Sequence, residues 1–440
     1  MHRIIDLAIP LHRLRLLVVP FIFILTLHGC AGIRSVEVIP PPLPTRPAET
    51  IKQNEFFIGK EDDAIGRPAV IRLEKGDTLP DIARHFSLGI HEISLANPGV
   101  DIWVPEAGTR IMLPLHFILP DAPRKGIVIN LAAMRLFYFK ENKKSLTVST
   151  YPVGIGTIER PTPIGQAYVK RKVFRPTWYV PASIAERHRE KGDPLPSKVP
   201  PGPLNPLGEY ALYLSRSSYL IHGTNKPSSI GLKATNGCIR LYPEDIRELY
   251  EKTPVNTPVH IISQPYLIGQ INGVVYLEVH APVEEQRVAD LRKLFARLKN
   301  IEKKTKRKID WSQVDKTLAE VRGIPVPILE LREKIEKGNE NIVEVRHPGK
   351  LYGSPEMPQL SVEAWYILAA EHRDATDAAR MAAIISHQGP PIPARVLAKR
   401  DRYRVIAGPF GDMQTAEDTA RRLKIDLEVD GILIEPGNNR

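Results

Sequence analysis

Apolar and polar positions alternate in short bursts through the middle of the chain. Between residues 125 and 263 the runs 127–130, 135–139, 146–154, 168–173, 211–215 and 259–262 each carry a few apolar residues, with Gly and Pro frequent between them. Many short runs of this kind with Gly/Pro turns predict a mainly-β unit, a sandwich or a barrel-like closure. One stretch breaks the rhythm. Residues 174–207 hold Pro176, Pro181, Pro194, Pro196, Pro200 and Pro201, and loops that long in a compact domain commonly cover a binding site. Pro243 then opens a short helix with Glu244 and Asp245 in its first turn, where the helix dipole favours acids.

The pattern differs on either side. Residues 70–73 and 111–114 read as strands, with helical apolar spacing between them at Ile82, Ala83 and Phe86 and again at Ile93, Leu95 and Ala96. Asp77 or Thr78 is placed to cap the first helix, and Pro80 falls in its first turn. This predicts a βααβ unit over residues 66–115. Beyond the β-rich region, residues 264–282 hold one more strand around Tyr276–His280. Residues 283–359 read as a charged helical spacer ending in a Pro/Gly linker. Ala289, Leu291, Leu294, Phe295 and Leu298 make its apolar stripe, and Lys303, Lys304, Lys306, Arg307 and Lys308 its solvated basic face. Residues 360–440 alternate strand, helix, strand, helix, strand, which predicts a small α+β unit.

Composition adds a compartment. The first thirty residues have Arg3, Arg13 and Arg15, a short apolar core from Leu16 to Leu27 broken at Pro20, and then Cys30. The core is too short for a comfortable membrane span and reads as an export signal. Its ending is similar to a bacterial lipobox, in which Cys30 would carry lipid, with His28 atypical for that slot; an ordinary signal peptide is the alternative. Residues 31–65 read as a proline-rich tether. The net charge of +11 suits an anionic polymer as partner. Only two cysteines, Cys30 and Cys238, occur in 440 residues, so each is expected to have its own task.

Cys238 follows His222 by sixteen residues of Gly-, Ser-, Asn- and Pro-rich loop. Such a loop can fold back and bring an imidazole to a thiol, the pairing that makes a cysteine nucleophilic. Gly237 leaves room for a substrate carbonyl and for backbone N–H groups aimed at an oxyanion. Arg240 is placed to hold a substrate carboxylate. The His residues lack metal-ligand spacing with Cys or acids, so neither metal nor other cofactor is expected.

His222-Gly223 and Thr235-Asn236-Gly237-Cys238-Ile239-Arg240 resemble the active-site signature of the L,D-transpeptidases of the YkuD type. Asn236 departs from the His common there. The resemblance implies Cys238 as nucleophile, His222 as proton donor and acceptor, Gly223, Asn236 and Gly237 as oxyanion or orienting residues, and Arg240 with Thr235 as substrate-binding residues. Two further resemblances flank it. Lys75-Gly76-Asp77-Thr78-Leu79 and Ala96-Asn97-Pro98-Gly99 resemble a LysM module, which implies glycan binding. Tyr403-Arg404-Val405 with Gly408-Pro409-Phe410 resembles a SPOR domain, which implies binding to peptidoglycan at division sites. The RNA-binding sheet of similar layout is disfavoured, because its stacking aromatics are missing.

The expectation is a multidomain chain: a signal (1–30), a tether (31–65), LysM (66–115), a mainly-β YkuD-like catalytic β-sandwich (124–263), its extension (264–282), a spacer (283–359) and an α+β SPOR domain (360–440). The implied reaction is acyl transfer from a stem tetrapeptide, with loss of D-alanine, to an amine of another stem or of a lipoprotein lysine. The implied location is the periplasm, on outer-membrane lipid through Cys30, with enrichment at the septum. A hydrolase using water on the same site and a non-catalytic glycan-binding scaffold are the alternatives. Nucleic acid is not an expected partner.

Overall fold

The computed structural model describes residues 54–437 apart from 60–61, 143–144, 191, 272, 284–285 and 330–341. The export signal, Cys30 and most of the tether lie outside the described residues. The centre is one nine-stranded mixed sheet. Its order is Glu55–Ile58, Ser145–Pro152, Arg135–Asn142, Gly126–Asn130, Pro258–Ile262, Gly165–Phe174, Tyr210–Leu214, Leu220–His222 and Ile239–Arg240. Each strand predicted between residues 125 and 263 is present, with bounds moved by a few residues.

The strand Gly165–Phe174 decides the shape. Its first half pairs with Pro258–Ile262 and its second with Tyr210–Leu214, across a register break between Val169 and Arg171. A strand shared in this way lets two half-sheets turn toward each other. Side chains from both halves then meet in one core, among them Ile129, Leu136, Val169, Leu212, Ile221, Ile239 and Val259. The helix Pro243–Lys252 closes that core with Ile246 and Leu249. The layers expected of a sandwich are thus halves of one hydrogen-bonded sheet.

Two segments read as connectors are structural. Glu55–Ile58, assigned to the tether, is the sheet's outer strand and pairs antiparallel with Ser145–Pro152. Val343–Val345, assigned to the linker, pairs parallel with Ala69–Arg72 and becomes the third strand of the N-terminal unit. Leu351 follows it into the same core, and His347 Nε2 lies 3.0 Å from Asp77 Oδ2. These pieces are too short for periodicity to reveal. Their backbone partners lie far away in sequence.

The N-terminal unit keeps the predicted order: strand Ala69–Arg72, helices Leu79–His85 and Ile90–Ala96, strand Arg110–Leu113. Thr78 is the cap, accepting from the Asp81 N–H, while Asp77 accepts from the Glu74 N–H instead. The unit is fastened to the large sheet by polar contacts. Arg135, 2% exposed, makes a bidentate pair with Glu92 at 2.8 and 2.7 Å and also donates to Ser87 O and Thr150 Oγ1. Arg84 grips Glu244 at 2.8 and 3.0 Å, and Ser87 Oγ donates to the buried Asp245.

The spacer also packs. Helices Arg287–Thr305 and Trp311–Glu320 lie on the hairpin Tyr266–Ile271/Val274–Val279 through Leu294, Leu298, Val314, Ile268 and Leu277. Lys303, Lys304, Lys306 and Lys308 stay exposed. In the C-terminal unit the order Ala394–Lys399, Arg402–Phe410, Trp365–His372, Ile432–Ile434 forms a four-stranded sheet. Helices Ala375–Ser386 and Met413–Leu427 share a core with Ile367, Val405 and Ala407. The strand Ala394–Lys399 was not foreseen: Pro393 and four polar or small neighbours hide its alternation.

Glu92→Ala is expected to destabilise the protein by about 3–5 kcal/mol, because it strands a buried guanidinium. In urea unfolding, the pair Glu92→Ala with Arg135→Met should recover much of that loss; an Ala variant of unchanged midpoint would show the pair to be dispensable.

Candidate active site

His222 ends the strand Leu220–His222, and Cys238 directly precedes Ile239–Arg240. These strands are neighbours and parallel, with Ile221 opposite Ile239 and His222 opposite Arg240. The loop between them folds back as its composition suggests. It passes through a 3-10 turn at Pro227–Ser229 and returns as Lys233–Thr235, which pairs parallel with Ile155–Gly156. Gly231, at φ +84°, lies so close to Gly89 that an added methyl would sit 2.7 Å from the Gly89 Cα. The loop therefore rests on the N-terminal unit.

The imidazole is buried. Its Nδ1 is 2.6 Å from the Gly223 carbonyl oxygen. A carbonyl only accepts, so Nδ1 carries the proton and Nε2 keeps its lone pair. Burial, and then the positive charge of Arg240, push the His222 pKa down to about 3, against the pull of the Gly223 carbonyl. Burial pushes the Cys238 thiol up, while the Leu220 amide and Arg240 draw it down. The thiol points to the Ser218 carbonyl oxygen, 3.7 Å away, rather than to the imidazole. Burial thus disfavours charge on both groups, the thiolate and the imidazolium.

Thr235, Asn236 and Gly237 each take a definite place. Thr235, expected to touch substrate, is buried and holds the turn: Oγ1 donates to Cys238 O at 2.6 Å and accepts from Gly237 N at 3.2 Å. An oxyanion seeking the Gly237 N–H would compete with that hydroxyl. Gly237 has φ +99°, and a methyl there would lie 2.9 Å from Tyr219 Cε1, so the turn requires glycine. Asn236 is exposed, and its Oδ1 accepts from Arg187 Nη2 at 2.7 Å.

Arg240 is also turned inward, donating from Nη1 to Ser229 Oγ at 2.8 Å. Its buried Nε has no protein acceptor among the described residues. Its charge acts on His222 and Cys238 from inside the fold. Among the described residues no three His, Cys, Asp or Glu side chains converge as metal ligands. Arg187 was missed in the sequence, as was Arg160, whose Nη1 donates to Ser183 Oγ at 2.8 Å. The one sequence signal for Arg187 was the length of the 174–207 segment, which contains the helix Ala182–Glu190 and the hairpin Trp178–Tyr179/Lys198–Val199; Arg160 had none.

Comparison with known proteins fits this geometry. Residues 124–261 match the model of the L,D-transpeptidase catalytic domain, YkuD, and residues 361–435 that of the SPOR domain. The probable L,D-transpeptidase YbiS of Escherichia coli K12 is 44% identical over 223 residues, which are 50% of this chain and 72% of that protein. The chain belongs to the L,D-transpeptidase family. It is a peptidoglycan L,D-transpeptidase, a cysteine-dependent acyltransferase of the periplasm. The probable L,D-transpeptidase YcfS of the same strain is 38% identical over 250 residues, 56% of this chain and 73% of its own length. A solved catalytic domain of the E. faecium L,D-transpeptidase is 21% identical, covers 32% of this chain and all of itself, and superposes with a TM-score of 0.25.

Because burial disfavours the Cys238 thiolate, its alkylation by iodoacetamide should climb steadily from neutral pH and level off only above the ~8.5 of a free thiol. A rate already on its plateau near neutrality would mean a preformed thiolate–imidazolium pair.

Proposed function

We propose that Cys238 is the acylated nucleophile and His222 its base and acid. The observation that carries this reading is the parallel pairing of their strands, with Nδ1 spent on Gly223 and Nε2 left free. In the first half-reaction the thiol proton passes to His222 Nε2 while the sulfur attacks the diaminopimelate carbonyl of a donor stem tetrapeptide. The tetrahedral intermediate collapses, the bond to D-alanine breaks, and His222 returns the proton to the leaving amine. In the second, an acceptor amine attacks the thioester, gives its proton to His222, and the sulfur leaves and recovers a proton. The amine belongs to a second stem, giving a 3→3 cross-link, or to a lysine of an attached lipoprotein. Gly223 orients the imidazole, and Gly237 and Asn236 shape the oxyanion side.

Intact-protein mass after incubation with a carbapenem should show one adduct, absent in Cys238→Ala. His222→Ala should slow its formation by about a hundred- to ten-thousand-fold. An adduct that survives in Cys238→Ala would remove the nucleophile. Fragments of tetrapeptide-rich peptidoglycan then separate the products: 3→3 dimers for transfer, trimmed tripeptides for hydrolysis.

The flanking units extend the reading to location. Residues 66–115 serve as a LysM module on wall glycan, as their βααβ order and the Lys75–Leu79 run support. Residues 360–440 enrich the enzyme at the septum, and Cys30 anchors it in the outer membrane. A fluorescent full-length fusion should mark the envelope with midcell bands, and blocking lipoprotein signal cleavage with globomycin should accumulate precursor. Unchanged processing, or an even envelope signal, would remove the corresponding part.

A further inference from the structure

We infer that Arg187, with Arg160 beside it, forms an anion subsite above the nucleophile turn that recognises a carboxylate of the donor peptide, and that Asn236 sets its position. This rests on Cys238 being the nucleophile.

The helix Ala182–Glu190 has no fully buried residue. Apolar packing therefore does not explain why it lies where it does. Two polar contacts hold it: Arg187 Nη2 to Asn236 Oδ1 at 2.7 Å, and Arg160 Nη1 to Ser183 Oγ at 2.8 Å. The first lands on the turn before Cys238, and the second starts at the residue before Pro161, which packs on that turn. Asn236 precedes Gly237 and Cys238 directly, and the carbonyl oxygen of Pro161 would lie 3.4 Å from a methyl on Gly237.

The charges are unequal in their pairing. His188 and Arg189, on the same helix, have carboxylate partners in Asp193 and Glu186. Among the described residues neither Arg187 nor Arg160 has one; each is held by a neutral oxygen acceptor. A neutral acceptor fixes a guanidinium and leaves its charge and most of its five N–H groups available. A planar fork of that kind matches a carboxylate in bidentate fashion. Arg240, expected from the sequence to do this, donates from Nη1 to Ser229 Oγ. The donor stem supplies the complementary chemistry, since it is a peptide bearing free carboxylates. Asn236 is then explained as well: its Oδ1 accepts from Arg187, whereas a protonated ring in that slot would repel it.

The test uses the full-length enzyme and three soluble tetrapeptide donors: one with both carboxylates free, one amidated at the terminal D-alanine, and one amidated at the side-chain carboxylate. On the free donor Arg187→Ala should lower kcat/KM by about ten- to a hundredfold, the scale of a hydrogen bond to a charged group, mainly through KM. Arg187→Lys should recover part of it. Asn236→Ala should lose less, and the double variant no more than Arg187→Ala alone. On one of the amidated donors, the one lacking the recognised carboxylate, the gap between wild type and Arg187→Ala should close. An equal loss on all three donors, or none on any, would overturn the subsite. Iodoacetamide labelling distinguishes the two levels. If wild type turns over the donor while Cys238 labelling leaves it active, the nucleophile assignment fails. If labelling abolishes turnover but Arg187→Ala does not discriminate between donors, only the subsite fails.

Discussion

The parallel pairing of Ile221–His222 with Ile239–Arg240 is the constraint on which the site depends. Two residue pairs are enough because each strand is already held from outside. Ala211 opposes His222 on the far side of the first strand, and Gly154 bridges Arg240 on the far side of the second. The loop between them is held separately. Its own anchors are the short pairing with Ile155–Gly156 and the glycine-to-glycine contact at Gly89 and Gly231. The imidazole and the sulfur are therefore positioned by backbone, the stiffest part of the fold.

Burial sets the electrostatics of the pair. A low dielectric disfavours both imidazolium and thiolate, and Arg240 opposes the first while favouring the second. The imidazole, with its pKa pushed down to about 3, is neutral at ordinary pH.

The accessory units bear on the site through polar seams. Arg135 with Glu92 and Arg84 with Glu244 join the N-terminal unit to the sheet and to the helix Pro243–Lys252. The C-terminal unit reaches both of the others: His387 Nε2 lies 3.2 Å from Asp81 Oδ1, and Ser228 Oγ donates to His387 O at 3.0 Å. Ser228 belongs to the catalytic loop, so that loop is contacted by both flanking units. Seams built from charged pairs depend on ionic strength and pH more than apolar ones do.

Read as a linear pattern, the chain itself determined the strands and helices that are long enough to show a period, a cap for the first helix at Asp77 or Thr78, and the His222–Gly223 and Thr235–Arg240 runs that carry the family resemblance. Tertiary structure decided what depends on partners distant in sequence. Glu55–Ile58 and Val343–Val345 are strands because an edge was free for them, not because of their own composition. Thr235 and Arg240 face inward because the nucleophile turn and the Ser229 hydroxyl claim their polar atoms. Arg187 comes to the site on a helix that nothing in its own sequence aims there. A side chain's type is local information, whereas its direction follows from which backbone and polar groups the folded chain leaves unpaired around it.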